Sequence, residues 1–354
     1  MNSINENFKQ WFISPLLILV FSTILSAGVG NPNLSAIGQV IGDRTDDANS
    51  ADEGQPTLRT GEVEVVLDAN LNPFLAGLFT LSGSEDGFVV EEAYLSLVKG
   101  LPWGLGLKAG KYRLGFGKMN GIHPHALPFI NPSRAWTSLM PGGEEGFNET
   151  AFEVSDLLPT PGDWASTLSA EVIQGNSFHP DSKKNRLGWM GRWSNSFLLG
   201  EVGAIDLGFS GATGVDDIDE NQQGGILGVD CKTKFYLAQS SQLTVQAEGL
   251  FRNSHPRDSL LGLSAENRSG FYAMADYRYH TQINAGLFYE QWEREGTTTF
   301  QDRSFRVFAG YAVLEESTIL RLAYERYLPE AATEVNIVSL QILFSMGPHK
   351  AHVF

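Results

Sequence analysis

Leu243-Thr244-Val245-Gln246-Ala247-Glu248-Gly249-Leu250-Phe251-Arg252 is the stretch whose reading decides the fold. Leu243, Val245, Ala247, Gly249 and Phe251 form one set; Gln242, Thr244, Gln246, Glu248 and Arg252 form the other. Successive side chains of a strand point to opposite faces, so this segment has one apolar and one polar face. A run of about ten residues is what a tilted strand needs to cross hydrocarbon, whereas soluble strands are usually about five or six long. The pattern returns in Phe271, Ala273, Ala275, Tyr277 and Tyr279, in Ile283, Ala285, Leu287 and Tyr289, and in Phe305, Val307, Ala309 and Tyr311. Near the start, Val63, Val65 and Leu67 alternate with Glu62, Glu64 and Asp68.

Extended along the chain, the alternation predicts strands at 34–42, 61–70, 74–82, 87–99, 104–115, 149–157, 163–174, 187–197, 202–213, 224–236, 241–252, 269–280, 282–293, 303–314, 318–327 and 334–346. Long connections alternate with short turns such as Leu71-Asn72-Pro73 and Glu315-Glu316-Ser317. Long loops at one end and short turns at the other mark an all-β, antiparallel transmembrane barrel of about sixteen strands, and an even count puts both termini in the periplasm. One strand breaks the alternation. Glu91 and Glu92 are adjacent, so one should face lipid, and Glu91 is expected near an interface.

Composition agrees. Charged residues are only 19% of the chain, below the roughly 25% of soluble domains. The mean hydropathy is nonetheless an ordinary −0.13, as half-lipid, half-water strands require. A net charge of −16 excludes a nucleic-acid partner, and a single cysteine, Cys231, excludes an internal disulfide or a multi-cysteine metal site.

Residues 1–30 read as a signal peptide. Lys9 precedes an apolar run from Trp11 to Leu25, and the small residues Ser26 to Gly30 offer cleavage after Gly28 or Gly30. The alternative is an uncleaved inner-membrane anchor. Residues 31–354 then form one barrel domain, with 347–354 as a periplasmic tail.

This layout resembles the porin family. General porins have sixteen strands, and their longest loop follows the fifth strand and folds into the channel. Here the longest loop, 116–148, also follows the fifth predicted strand. The resemblance covers the mature chain as architecture and implies a homotrimer in outer-membrane lipid and lipopolysaccharide; the acidic constriction motif of general porins is not found. Asn31-Pro32-Asn33-Leu34, Glu91-Glu92-Ala93-Tyr94-Leu95, Ala109-Gly110-Lys111, His123-Pro124-His125 and the tail from Gly347 to Phe354 are similar to porin-like proteins sometimes labelled zinc-regulated or TonB-dependent receptors. TonB-dependent transporters need a 22-stranded barrel and a plug, for which this chain is too short. Phe354 is similar to the terminal aromatic that the barrel-assembly machinery reads.

Loop 116–148 carries Leu127-Pro128-Phe129-Ile130-Asn131-Pro132, then Trp136, Leu139 and Met140, too apolar for open water. It is expected to insert into the lumen and place Arg134, Glu144 and Glu145 at the narrowest point. The expected lumen face carries Glu62, Glu64, Asp68, Glu171, Glu248, Asp276, Glu290 and Glu325 with Lys108, Arg252, Arg278, Arg306 and Arg321. These charges suit either a water-filled channel or a ladder of ion pairs stiffening the wall. His123 with His125, and His349 with His352, form the two pairs that could together hold a divalent metal; no other cofactor is expected. The leading expectation is passive diffusion of small hydrophilic solutes across the cell outer membrane, with modest cation preference. A substrate-specific channel for a metal ion or small anion and a structural or plugged barrel are the alternatives. The sequence holds no G-x-S-x-G motif, so an enzyme is not expected.

Overall fold

The computed structural model describes residues 32–347, apart from 85–86, 98, 180–185, 218–220, 238–239, 256, 259–261, 264, 281, 297–300 and 314–316. The expected signal peptide and the tail histidines His349 and His352 lie outside the described residues.

The wall opens with β1 (Asn33–Thr45), β2 (Pro56–Thr60 and Val63–Asn70), β3 (Leu75–Ser84), β4 (Gly87–Leu97), β5 (Gly106–Arg113), β6 (Asn148–Leu158), β7 (Trp164–Ile173) and β8 (Gly188–Leu198). It continues with β9 (Gly203–Asp217), β10 (Gln222–Leu237), β11 (Ser241–Ser254), β12 (Glu266–Tyr279), β13 (Ile283–Glu293), β14 (Gln301–Ala312), β15 (Thr318–Leu328) and β16 (Val335–Met346). The two pieces of β2 pair with the same neighbour, β1, on either side of Gly61-Glu62, so they are one interrupted strand. Every neighbouring pair is antiparallel, and β1 pairs with β16 from Ala36↔Met346 to Thr45↔Ile337. The sheet is therefore closed, and no wall edge is left to hydrogen-bond with lipid.

The two faces separate as the alternation requires. Leu340, Leu322, Leu287 and Phe209 stand half exposed on the outside, while Gln341, Arg321 and Tyr272 on the opposite parity are buried. A continuous apolar exterior on so many strands has no soluble counterpart and fits lipid contact. Tyr277, Tyr279, Tyr236 and Tyr311 lie near the short-turn end; Phe251, Phe271, Tyr289 and Phe305 lie toward the long-loop end. These are two aromatic belts. Because the outer face must be apolar at mid-depth, L340R is expected to cost about 2–4 kcal/mol in urea unfolding from lipid vesicles. A loss no larger than a few tenths would contradict the assignment of that face.

The adjacent acids Glu91 and Glu92 correct the expectation made for them. The β3–β4 register shifts between Thr80 and Leu81, where Thr80 opposes Glu92 and Leu81 opposes Val90. Glu91 is the extra residue of a β-bulge, which turns both carboxylates inward. They are 3% and 7% exposed, and neither faces lipid.

Candidate functional site: a loop folded into the lumen

The segment between β5 and β6 fills the middle of the barrel. Its base is closed by Asn120, whose amide donates to the carbonyls of Leu114 (2.7 Å) and Phe147 (3.1 Å) and accepts from the Phe147 N–H (2.9 Å). Phe116, Phe129, Trp136, Leu139 and Phe147 form one apolar cluster with the inward wall residues Tyr272, Phe288 and Phe308. The Phe129 ring lies 4.9 Å from Phe288 and 5.7 Å from Phe308, centroid to centroid. This burial explains why so apolar a loop tolerates a polar barrel.

Charged wall residues hold the loop from several sides. Arg306 donates to the Asn131 carbonyl at 2.7 Å and the Pro132 carbonyl at 3.4 Å, and also pairs with Glu325 at 3.1 Å. Glu290 accepts from the Ser133 hydroxyl (2.6 Å) and the Ala135 N–H (3.0 Å), at the start of the short helix Arg134–Leu139. Ser133 caps that helix by accepting from the Trp136 N–H. Glu248 accepts from the Lys118 and Met119 N–H groups and from the Tyr272 hydroxyl. Gly117 allows this approach. Its φ is +61°, and a Cβ there would sit 1.9 Å from the Glu248 carboxylate. Arg321 donates to the His125 carbonyl at 3.0 Å.

Against β2 and β4 the loop meets an acidic wall. His123 Nδ1 lies 3.2 Å from Glu64 Oε1 and 3.4 Å from Glu91 Oε1, and its Nε2 lies 3.0 Å from Glu92 Oε2. His125 Nδ1 lies 2.9 Å from the same Glu64 oxygen. Burial pulls the His123 imidazole down, but hydrogen bonds to Glu64 and Glu92 prevail and push it up to about 10. It carries a positive charge into the cluster at neutral pH. Arg113 supplies another, paired with Glu91 at 2.5 Å.

Beside this wall a cavity of about 280 Å³ remains between the loop and β1–β2. Arg59, Glu62, Arg113, Glu144 and Glu145 supply its charges. Both arginines already have partners: Arg59 is 2.9 Å from Asp43, and Arg113 is held by Glu91. Lys232 and Lys234 stand on β10, far from β2 in the strand order, on the side where Lys118 lies 3.5 Å from Asp206 and 3.9 Å from Asp230.

Of the residues singled out in the sequence, Glu144 and Glu145 line the cavity together with Glu62. Arg134 is elsewhere, paired with Glu325 and 4.6 Å above the Tyr327 ring. Lys108 lies between the Tyr94 and Tyr112 rings, at 4.0 and 3.8 Å. Arg252 pairs with Asp216 at 3.3 Å, and Asp276 accepts from Asn284 at 2.9 Å. Tyr112 donates to Glu171 at 3.1 Å. His123 and His125 come together, with Glu64 as their shared neighbour. Inward Phe288 and Phe308 were not anticipated; their only signal is an aromatic at a polar-parity position, Phe288 between Leu287 and Tyr289, and Phe308 between Val307 and Ala309.

Solved porins share this architecture. An anion-selective porin from Comamonas acidovorans superposes with a TM-score of 0.59 at 12% identity, over 89% of this chain and 99% of that one. Salmonella typhi OmpF in complex with daunomycin gives 0.64 at 8% identity, over 89% and 97%. The trimer form of Vibrio cholerae OmpT gives 0.55 at 9%, over 90% and 100%. The fold is that of the sixteen-stranded outer-membrane porins. In sequence, an uncharacterized protein of Aquifex aeolicus is 28% identical over 331 residues, covering 82% of this chain and 69% of the relative. No family model matches the chain.

Proposed function

We propose that the protein is an outer-membrane porin that passes small hydrophilic solutes by passive diffusion, with a cation preference. The barrel spans the outer membrane with both termini in the periplasm and the longer loops outside, and it assembles as a homotrimer. The barrel holds the passage and the folded loop sets its width. The observation that carries the selectivity is the charge lining of the cavity. Its two arginines are engaged by Asp43 and Glu91, so Glu62, Glu144 and Glu145 set the sign of the local potential. Clustered carboxylates at a constriction raise the local cation concentration, and salt screens the effect.

The E62Q/E144Q/E145Q variant tests it. In a planar bilayer under a dilute salt gradient, its reversal potential is expected to move to zero or cross to the anion side, with unitary conductance little changed. A cation preference equal to that of the wild type would contradict the role given to these carboxylates.

A further inference from the structure

The geometry points to a divalent transition-metal site inside the lumen, formed by Glu64 of the wall with His123 and His125 of the loop. This goes beyond the channel reading and rests only on how the loop docks.

Three ligand-type atoms, from Glu64, His123 and His125, lie within 4.8 Å of one another, and Glu62, Glu64 and Glu91 make an overlapping group. A tetrahedral ion with bonds of about 2.0–2.1 Å needs donor atoms about 3.3–3.4 Å apart. Glu64 Oε1 is 3.2 Å from His123 Nδ1 and 2.9 Å from His125 Nδ1, and His123 Nδ1 is 3.4 Å from Glu91 Oε1. Small shifts of side chains bring the atoms of Glu64, His123 and His125 to three corners of one tetrahedron, with the fourth corner left to a solvent ligand.

The surroundings fit an ion as well. His123 presents Nδ1 to the cluster while its Nε2 faces Glu92 at 3.0 Å. A carboxylate on the far nitrogen is the arrangement that orients a metal-bound imidazole. The backbone also holds both rings in place. Pro124 opens the tight turn Pro124–Ala126, the Ala126 N–H donates to the His123 carbonyl at 2.9 Å, and the two rings sit 5.7 Å apart. Arg321 fixes the His125 carbonyl from the wall. Four carboxylates, Glu62, Glu64, Glu91 and Glu92, converge here against Arg113 and the protonated His123. An ion that binds displaces the His123 Nδ1 proton to solvent and puts two positive charges in its place, against carboxylates that still outnumber the cations. Two imidazoles with carboxylates select a zinc-like ion over calcium or magnesium, which take oxygen ligands. Glu62 and Pro124 also line the cavity, which gives an ion a path to the site. Such an ion would tie the loop to the wall at the edge of the passage.

The test uses the folded full-length barrel in detergent, stripped with a chelator. Cobalt(II) titration is expected to give the intense visible bands of a tetrahedral site, saturating near one ion per chain, and zinc is expected to displace it. H123Q/H125Q should abolish the bands while keeping the heat-dependent gel mobility of a folded barrel. E92Q should bind with affinity about 10- to 100-fold lower, since it changes only the group behind His123. A wild type without bands and without retained zinc overturns the site. So does binding that persists in H123Q/H125Q, or that is lost only in H349Q/H352Q.

Discussion

Excising residues 117–146 and joining Phe116 to Phe147 through a short glycine linker is expected to raise single-channel conductance several-fold and erase most of the ion preference. The loop occupies the middle of the lumen, and Phe129, Trp136 and Leu139 displace water there. It also carries Glu144 and Glu145 to the cavity. The wall does not depend on it for closure, because β5 and β6 pair directly from Gly106↔Ser155 to Arg113↔Asn148. The Leu114 N–H still donates to the Phe147 carbonyl at the base. The variant should therefore migrate as a folded barrel on unheated gels. Unchanged conductance in a folded variant would mean that the loop does not set the width of the passage.

The second large effect concerns Arg306. Its side chain is fully buried, with Glu325 at 3.1 Å and Glu290 at 3.9 Å, and its guanidinium sits about 5 Å from the Phe129 and Phe288 ring centres. It is the cation between two buried carboxylates and also the donor that holds the loop carbonyls. R306M removes both roles and leaves Glu290 without its cation, while Glu325 keeps Arg134 at 2.5 Å. A broken buried pair of this kind costs about 3–5 kcal/mol, and urea unfolding should report that loss. R306K keeps a charge but not the forked contacts to Asn131 and Pro132, so it should recover only part of it. R306M/E290Q should likewise recover part, by removing the stranded charge, since Glu325 keeps Arg134. An R306M barrel as stable as the wild type would show that the pair is solvated and that the loop is anchored elsewhere.

The strands were readable because lipid on one side and water on the other enforce a strict period of two. All sixteen strands appear near the positions that Leu243–Arg252 and its repeats suggested. The loop was readable for a related reason: Leu127–Ile130 and Trp136 need burial, and a barrel offers only its interior. Which wall residues receive the loop was not readable. That depends on register across the barrel, which brings Arg306 to Asn131 and Glu64 to His123 from distant parts of the chain. Arg134 shows the limit most clearly. Its charge suited a constriction, but the short helix packs against β12 and β13, and Arg134 at its start reaches Glu325 on β15. The bulge at Glu91 did leave a trace, since two adjacent acids in a membrane strand violate alternation. A one-residue insertion that turns both inward is the physical alternative to placing one at the interface. The histidines gave residue type and spacing, but not the carboxylates of β2 and β4 that meet them.

The most direct test of the account is the conductance of the folded wild-type protein in a planar bilayer under a salt gradient. Stable open steps with a reversal potential on the cation side are the predicted result, and the preference should shrink as salt is raised. Repeated insertion of verified folded barrel with no conductance would contradict the passage itself, and a reversal potential on the anion side would contradict the sign given to its lining.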